Sequence, residues 1–175
     1  MDAPGRAVYE LKTVLRKIEP PIWRSIQVWE DTPLADLHRI LQIVFGWENK
    51  HLYEFAGGGH TYRPPESGRV PLNRLLVRTG DEIEYVYDFG DNWRHVVLLD
   101  ARLRPDEDAL YPRYVGGERS APPENMGGPY AYLRNPAIPP ASQLSSIDDI
   151  NAVLRTAFPK PLKRVSRRGG EIEGK

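Results

Sequence analysis

Near the start of the chain, apolar and polar side chains alternate. Tyr9, Leu11, Thr13 and Leu15 alternate with more polar neighbours, and Ile22, Arg24, Ile26 and Val28 form a second run after Glu19-Pro20-Pro21. A period of two puts every second side chain on one face, so the pattern predicts two antiparallel strands joined by a proline-containing turn. The period then changes. Thr32 is a good N-cap and Pro33 suits a first helical position, which predicts a helix over 33–45. Leu34, Leu37, Leu41, Val44 and Phe45 fall on one stripe of it, and Gly46 supplies a left-handed terminator.

Residues 51–56 and 60–63 read as short strands around Gly57-Gly58-Gly59, and 64–71 reads as loop before a helical turn at 72–76. After the turn Thr79-Gly80-Asp81, the stretch 82–89 alternates so that Ile83, Tyr85, Tyr87 and Phe89 share a face, and Gly90-Asp91-Asn92 reverses the chain into a partner strand over 93–101. The Pro- and Gly-rich stretch 103–133 exceeds an ordinary connection, which predicts a functional or poorly ordered loop. Ser146-Ile147-Asp148-Asp149 resembles a capping box, and Ile147, Ile150, Leu154, Ala157 and Phe158 keep helical spacing up to Pro159. There is no internal repeat. The expectation is one α+β domain over 1–159, a largely antiparallel sheet with helices packed against it and a long Pro/Gly-rich loop. A basic tail over 160–175, without apolar periodicity, is expected to be flexible.

Composition narrows the chemistry. With 40% hydrophobic and 27% charged residues in 175, the chain has globular composition and can bury one core. It has no Cys, which excludes disulfides, thiolate zinc sites and a cysteine nucleophile. No apolar run approaches the roughly 18 residues of a membrane span, and the charged N-terminal segment has no apolar core of an export signal, so a soluble, cytoplasmic protein is expected, with no membrane partner. Its 24 basic and 24 acidic side chains cancel overall, but the tail holds six basic residues (Lys160, Lys163, Arg164, Arg167, Arg168, Lys175) and two acidic ones, leaving it +4 and the body −4. Such a body repels a phosphate backbone, so only a weak nucleic-acid contact is expected, through Lys160, Lys163, Arg164, Arg167 and Arg168.

Several strings carry a resemblance when taken together: Leu37-His38-Arg39-Ile40-Leu41-Gln42, Gly46-Trp47, His51-Leu52-Tyr53-Glu54-Phe55, Tyr87-Asp88-Phe89-Gly90-Asp91-Asn92-Trp93-Arg94-His95, and the glycine-bounded segment 116–128 with Pro122-Pro123-Glu124-Asn125. In this order, and with the closing Ile147-Asp148-Asp149-Ile150-Asn151, they resemble the plasmid pRiA4b ORF-3-like family over most of residues 7–158. The resemblance implies an α+β domain carried on plasmids, in bacterial and archaeal chromosomes, and beside transposases in some insertion elements. It implies no established activity. Family members often carry a Cys before the Gly-Gly loop and an Asp after its Glu; this chain has Tyr114-Val115 and Asn125 there. A thiol-dependent role is thus excluded, and a role needing that second loop carboxylate is not carried over.

The sharpest constellation is Asp88, Asp91 and His95 around one hairpin. Two carboxylates and an imidazole suit a divalent metal, while Asp at a turn also commonly accepts backbone N–H bonds and a His between Trp and Val is commonly a core residue. His38, on the edge of the helical stripe, and His51, at a strand start, are within reach of the same sheet; packing or support of another ligand fits His38 better. His60 follows a glycine run and is expected to be exposed. In the 116–128 loop, Arg119 offers a fork for an anion or a partner for the aspartates, and Glu124 a ligand or base. No P-loop, GxGxxG, GxSxG or HExxH pattern occurs, so no nucleotide cofactor is expected. The preferred reading is a non-catalytic accessory or regulatory domain binding a protein or small molecule. The alternative is a metal-dependent hydrolase or nuclease using Asp88, Asp91 and His95.

Overall fold

The computed structural model describes residues 5–135 and 145–159. The predicted tail, with its five basic candidates, lies outside them. Within the described residues, seven strands form one sheet: β1 (Val8–Leu15), β2 (Trp23–Trp29), β3 (Tyr53–Gly57), β4 (His60–Tyr62), β5 (Glu82–Tyr87), β6 (Trp93–Leu103) and β7 (Arg113–Glu118). Their order is β4-β3-β5-β6-β1-β2-β7, with every neighbouring pair antiparallel. Among the described residues, three α-helices complete an α+β fold: α1 (Leu34–Phe45), α2 (Gly128–Arg134) and α3 (Ile147–Ala157). No helix among the described residues is long and apolar enough to cross a membrane.

Register explains the core. Leu11 lies opposite Ile26 on one side and Leu99 on the other, Tyr85 opposite His95 and Phe55, and Tyr87 opposite Trp93 and Tyr53. Directly opposed residues share a face, so these apolar phases make one continuous buried layer. The α1 stripe covers it, and α3, capped by Ser146 Oγ accepting from Asp149 N, buries Ile150 and Leu154 beside β7 and α1. The opposite face stays half-buried and charged: Lys12 sits over the Trp23 ring, and Arg94 Nη1 donates to Glu84 Oε1 at 2.6 Å.

Three details differ from the sequence reading. Pro33, extended at φ −63 and ψ 148, takes the cap position of α1, and no side chain caps it. Gly46 ends that helix as expected, left-handed at φ 77. Phe89 leaves the face of Ile83, Tyr85 and Tyr87 because Asp88 turns left-handed at φ 57 and breaks the alternation, exposing the ring by 41%. The stretch 103–133 contains the edge strand β7 and most of α2. Short elements rich in Gly carry little periodicity, which hides them in sequence.

Candidate functional site: the acidic hairpin and its loop

The β5–β6 turn is built around one carboxylate. Asp88 Oδ1 accepts the Gly90 and Asp91 N–H groups at 3.0 and 3.3 Å, Asn92 N donates to the Asp88 carbonyl at 2.6 Å, and Asp88 N donates to Leu52 O at 2.9 Å. This is the Asx-type turn that Asp favours, and it leaves Oδ2 free to point outward from the turn. His51, in the connection from α1 to β3, brings Nε2 to 3.5 Å from that oxygen. The same nitrogen is 3.5 Å from Glu124 Oε2. It is buried and makes no hydrogen bond among the described residues, so the imidazole is wedged between two carboxylates without aligned donation to either.

Glu124 is held as firmly as Asp88. Its Oε1 accepts from Glu48 N at 2.8 Å and from the Tyr87 hydroxyl at 3.0 Å, and that hydroxyl in turn accepts from Lys50 N at 3.1 Å. Burial, with the Glu124 carboxylate adding to it against the Lys50 amide, pushes the Tyr87 phenol up to about 12. Asp91 Oδ2 accepts from Gly127 N at 3.0 Å, and Trp47 Nε1 donates to Pro122 O at 3.0 Å. The loop thus folds onto the hairpin and onto the α1–β3 connection through Pro122, Glu124 and Gly127.

Arg119 goes elsewhere: it donates to Pro20 O at the β1–β2 turn. His95 stands apart from the aspartates. It lies two positions inward from Trp93 on β6, fully buried beneath the Phe45 and Trp47 rings, with Nδ1 3.2 Å from Tyr85 O. Desolvation pushes it down to about 3, so it is neutral. Asp88, Asp91 and His95 therefore do not converge, because strand alternation sends His95 under α1 while the aspartates stay on the turn. No group of three or more His, Cys, Asp or Glu side chains among the described residues is arranged to hold a metal ion.

His38 is a core residue of α1. Its ring stacks on Tyr53 at 3.6 Å, Nδ1 lies 2.8 Å from the Tyr85 hydroxyl and Nε2 2.6 Å from Asn49 Oδ1. Burial pushes it down to about 4, and a neutral ring serving these partners donates from Nε2 to Asn49 and accepts at Nδ1 from Tyr85. His60 is exposed near Glu66. Sequence reasoning missed Tyr87 as the group that orients Glu124, and it missed the backbone of Glu48 and Gly127. An inward aromatic on a strand gives no sign of what its hydroxyl reaches, and backbone donors leave none at all.

The comparisons agree with this architecture. A protein named "Uncharacterized protein y4hQ" from Sinorhizobium fredii (strain NBRC 101917 / NGR234) is 34% identical over 140 residues, covering 72% of this chain and 70% of that protein. The crystal structure of a protein of unknown function, MM3350 from Methanosarcina mazei Go1, superposes with a TM-score of 0.66 at 35% identity, covering 73% of this chain and 78% of the other. The family model described as Plasmid pRiA4b ORF-3-like protein matches residues 7–143, which takes in the hairpin, the His51 connection and the whole docked loop. On these grounds the chain belongs to the plasmid pRiA4b ORF-3-like family.

Proposed function

We propose that this domain is a non-catalytic accessory or regulatory binding module of plasmids and transposable elements, working in the cytoplasm. One observation carries the reading: Asp88, Asp91 and Glu124 each accept backbone N–H groups from turn, loop or connection, so the motif carboxylates build a rigid face. Beside them, the apolar positions of the same strings turn outward, with Leu52 exposed by 70% and Phe89 by 41%. Exposed apolar groups on a hydrogen-bonded, preorganised turn suit contact with a protein partner.

A second reading, a hydrolase or nuclease, draws support from the unpartnered, buried His51 Nε2 between two carboxylate oxygens, a group able to carry a proton. It uses His51, Asp88 and Glu124 in place of Asp88, Asp91 and His95. One assay separates the two: hydrolysis of model phosphodiesters and esters between pH 5 and 9, with and without Mg²⁺, Mn²⁺ and Zn²⁺. The binding reading expects background rates for the wild type and Asp88→Asn alike, whereas turnover lost in Asp88→Asn and His51→Ala would establish the hydrolase. For the binding module itself, the double variant Leu52→Ser/Phe89→Ser should keep its Tm and lose retention of a transposase from the same mobile element. Equal retention by both proteins removes this face from the proposal.

A further inference from the structure

The inward phase of β2 contains one charged side chain. Arg24 stands opposite Thr13 and is 1% exposed, among the most deeply buried side chains of the molecule. A guanidinium carries five N–H donors. Three are used, all on carbonyls: Nε donates to Val44 O at 2.7 Å, and Nη1 to Trp23 O at 2.7 Å and Glu118 O at 3.2 Å. Nη2 donates to nothing among the described residues, and none of their carboxylates forms an ion pair with Arg24. The Phe45 ring lies 4.8 Å from the guanidinium carbon. Burial pushes the group down to about 10, which leaves it charged at neutral pH.

This charge is held in place by construction. A Cβ on Gly117 would come within 2.9 Å of Arg24 Cδ and 2.7 Å of Trp23 O, so the glycine is what lets β7 close over the arginine stem. The carbonyls then fix the guanidinium plane, Val44 O being one that the α1 C-terminus leaves unpaired. A cleft of about 250 Å³ opens on the arginine, lined among others by Gly46, Ser120, Ser145 and Ile150. Ser145 and Ile150 bring the start of α3 to its wall. The ionisable groups that feel this charge leave it unneutralised: His95 is neutral, and Tyr114 is a phenol whose pKa burial raises. Water in the cleft satisfies a donor and leaves the charge uncompensated, whereas an anion does both.

We propose that this cleft is an anion site, in which a small oxyanion, a phosphate or carboxylate group, accepts from Arg24 Nη2. The site is independent of the acidic hairpin and of the binding role proposed for it.

The test uses the full chain at pH 7.5, titrated with inorganic phosphate, with acetate, and with chloride at matched ionic strength. The expected result is a saturable rise in Tm of roughly 5 °C with phosphate or acetate beyond that with chloride, at concentrations about a hundredfold above the dissociation constant. The anion that responds identifies the group. Arg24→Met should abolish the response. Because that variant removes a buried residue and can fail to fold, Ser145→Glu provides a second arm: it puts a carboxylate on the exposed rim, and it should fold normally and lose the response by like-charge repulsion. A wild type that responds to phosphate and acetate no more than to chloride overturns the site, as does an undiminished response in Ser145→Glu.

Discussion

Glu124 shows how one side chain ties three segments together. It accepts from the α1–β3 connection and from Tyr87 on β5, and it faces His51. Glu124→Ala strips the buried Tyr87 hydroxyl of its acceptor, along with the exposed Glu48 amide, and should cost about 1 to 3 kcal/mol in thermal or urea unfolding. Glu124→Gln keeps an acceptor at that position and should cost less; an equal loss would trace the effect to the charge facing His51. The two core histidines set a pH dependence. Burial holds His38 near 4 and His95 near 3, both below the ordinary 6.5, so between those values the unfolded chain binds protons that the folded chain refuses. Their contribution is complete above about pH 6.5 and is lost as pH falls toward the folded values, at about 1.4 kcal/mol per pH unit for each histidine. Urea midpoints should drop from pH 7 to pH 5, with about two protons taken up by these imidazoles on unfolding at pH 5. Equal midpoints and no uptake would show that these rings are not held neutral. The sequence placed Arg24 only as one position of the strand run Ile22-Arg24-Ile26-Val28; its carbonyl partners come from Trp23, α1 and β7, and no spacing encodes them.

At the scale of elements, strands and helices with strong periodicity were legible almost to the residue. The α1 stripe, its Gly46 stop, the β5–β6 hairpin and the Ser146 cap of α3 all follow from side-chain period and backbone preference. β7 and α2 did not emerge, because β7 is an edge strand with Gly116-Gly117 inside it and α2 begins on Gly128-Pro129. What decides them is fit. A Cβ on Gly128, at φ +85, would come 2.6 Å from Asp91 O, so the start of α2 can lie against the hairpin only as glycine. Gly128→Ala should therefore destabilise the fold by about 1 to 3 kcal/mol and detach the loop. Loss of exchange protection at the Gly127 amide, which Asp91 holds, measures that detachment directly. Full protection with unchanged stability would mean that the backbone of Asp91 gives way at no cost.

The molecule as a whole is a one-faced sheet whose other side remains half-buried, and its charge is divided between an acidic body and a basic tail. Deleting residues 160–175 removes the +4 segment, so weak DNA retention at low salt should vanish in the shortened protein. A filter-binding salt series compares the two chains; retention by the shortened protein at matched salt would locate the contact on the body. The α+β class, the antiparallel hairpins and the family were readable from the chain itself, because period, turn residues and linear strings are local properties. Which of the singled-out residues meet was not. His51, Asp88 and Glu124 come from a connection, a turn and a loop far apart in sequence, and their meeting depends on the register of β5 with β3 and β6 and on how closely the loop docks. Local pattern specifies which face a side chain takes, and only the packed sheet determines what it finds there.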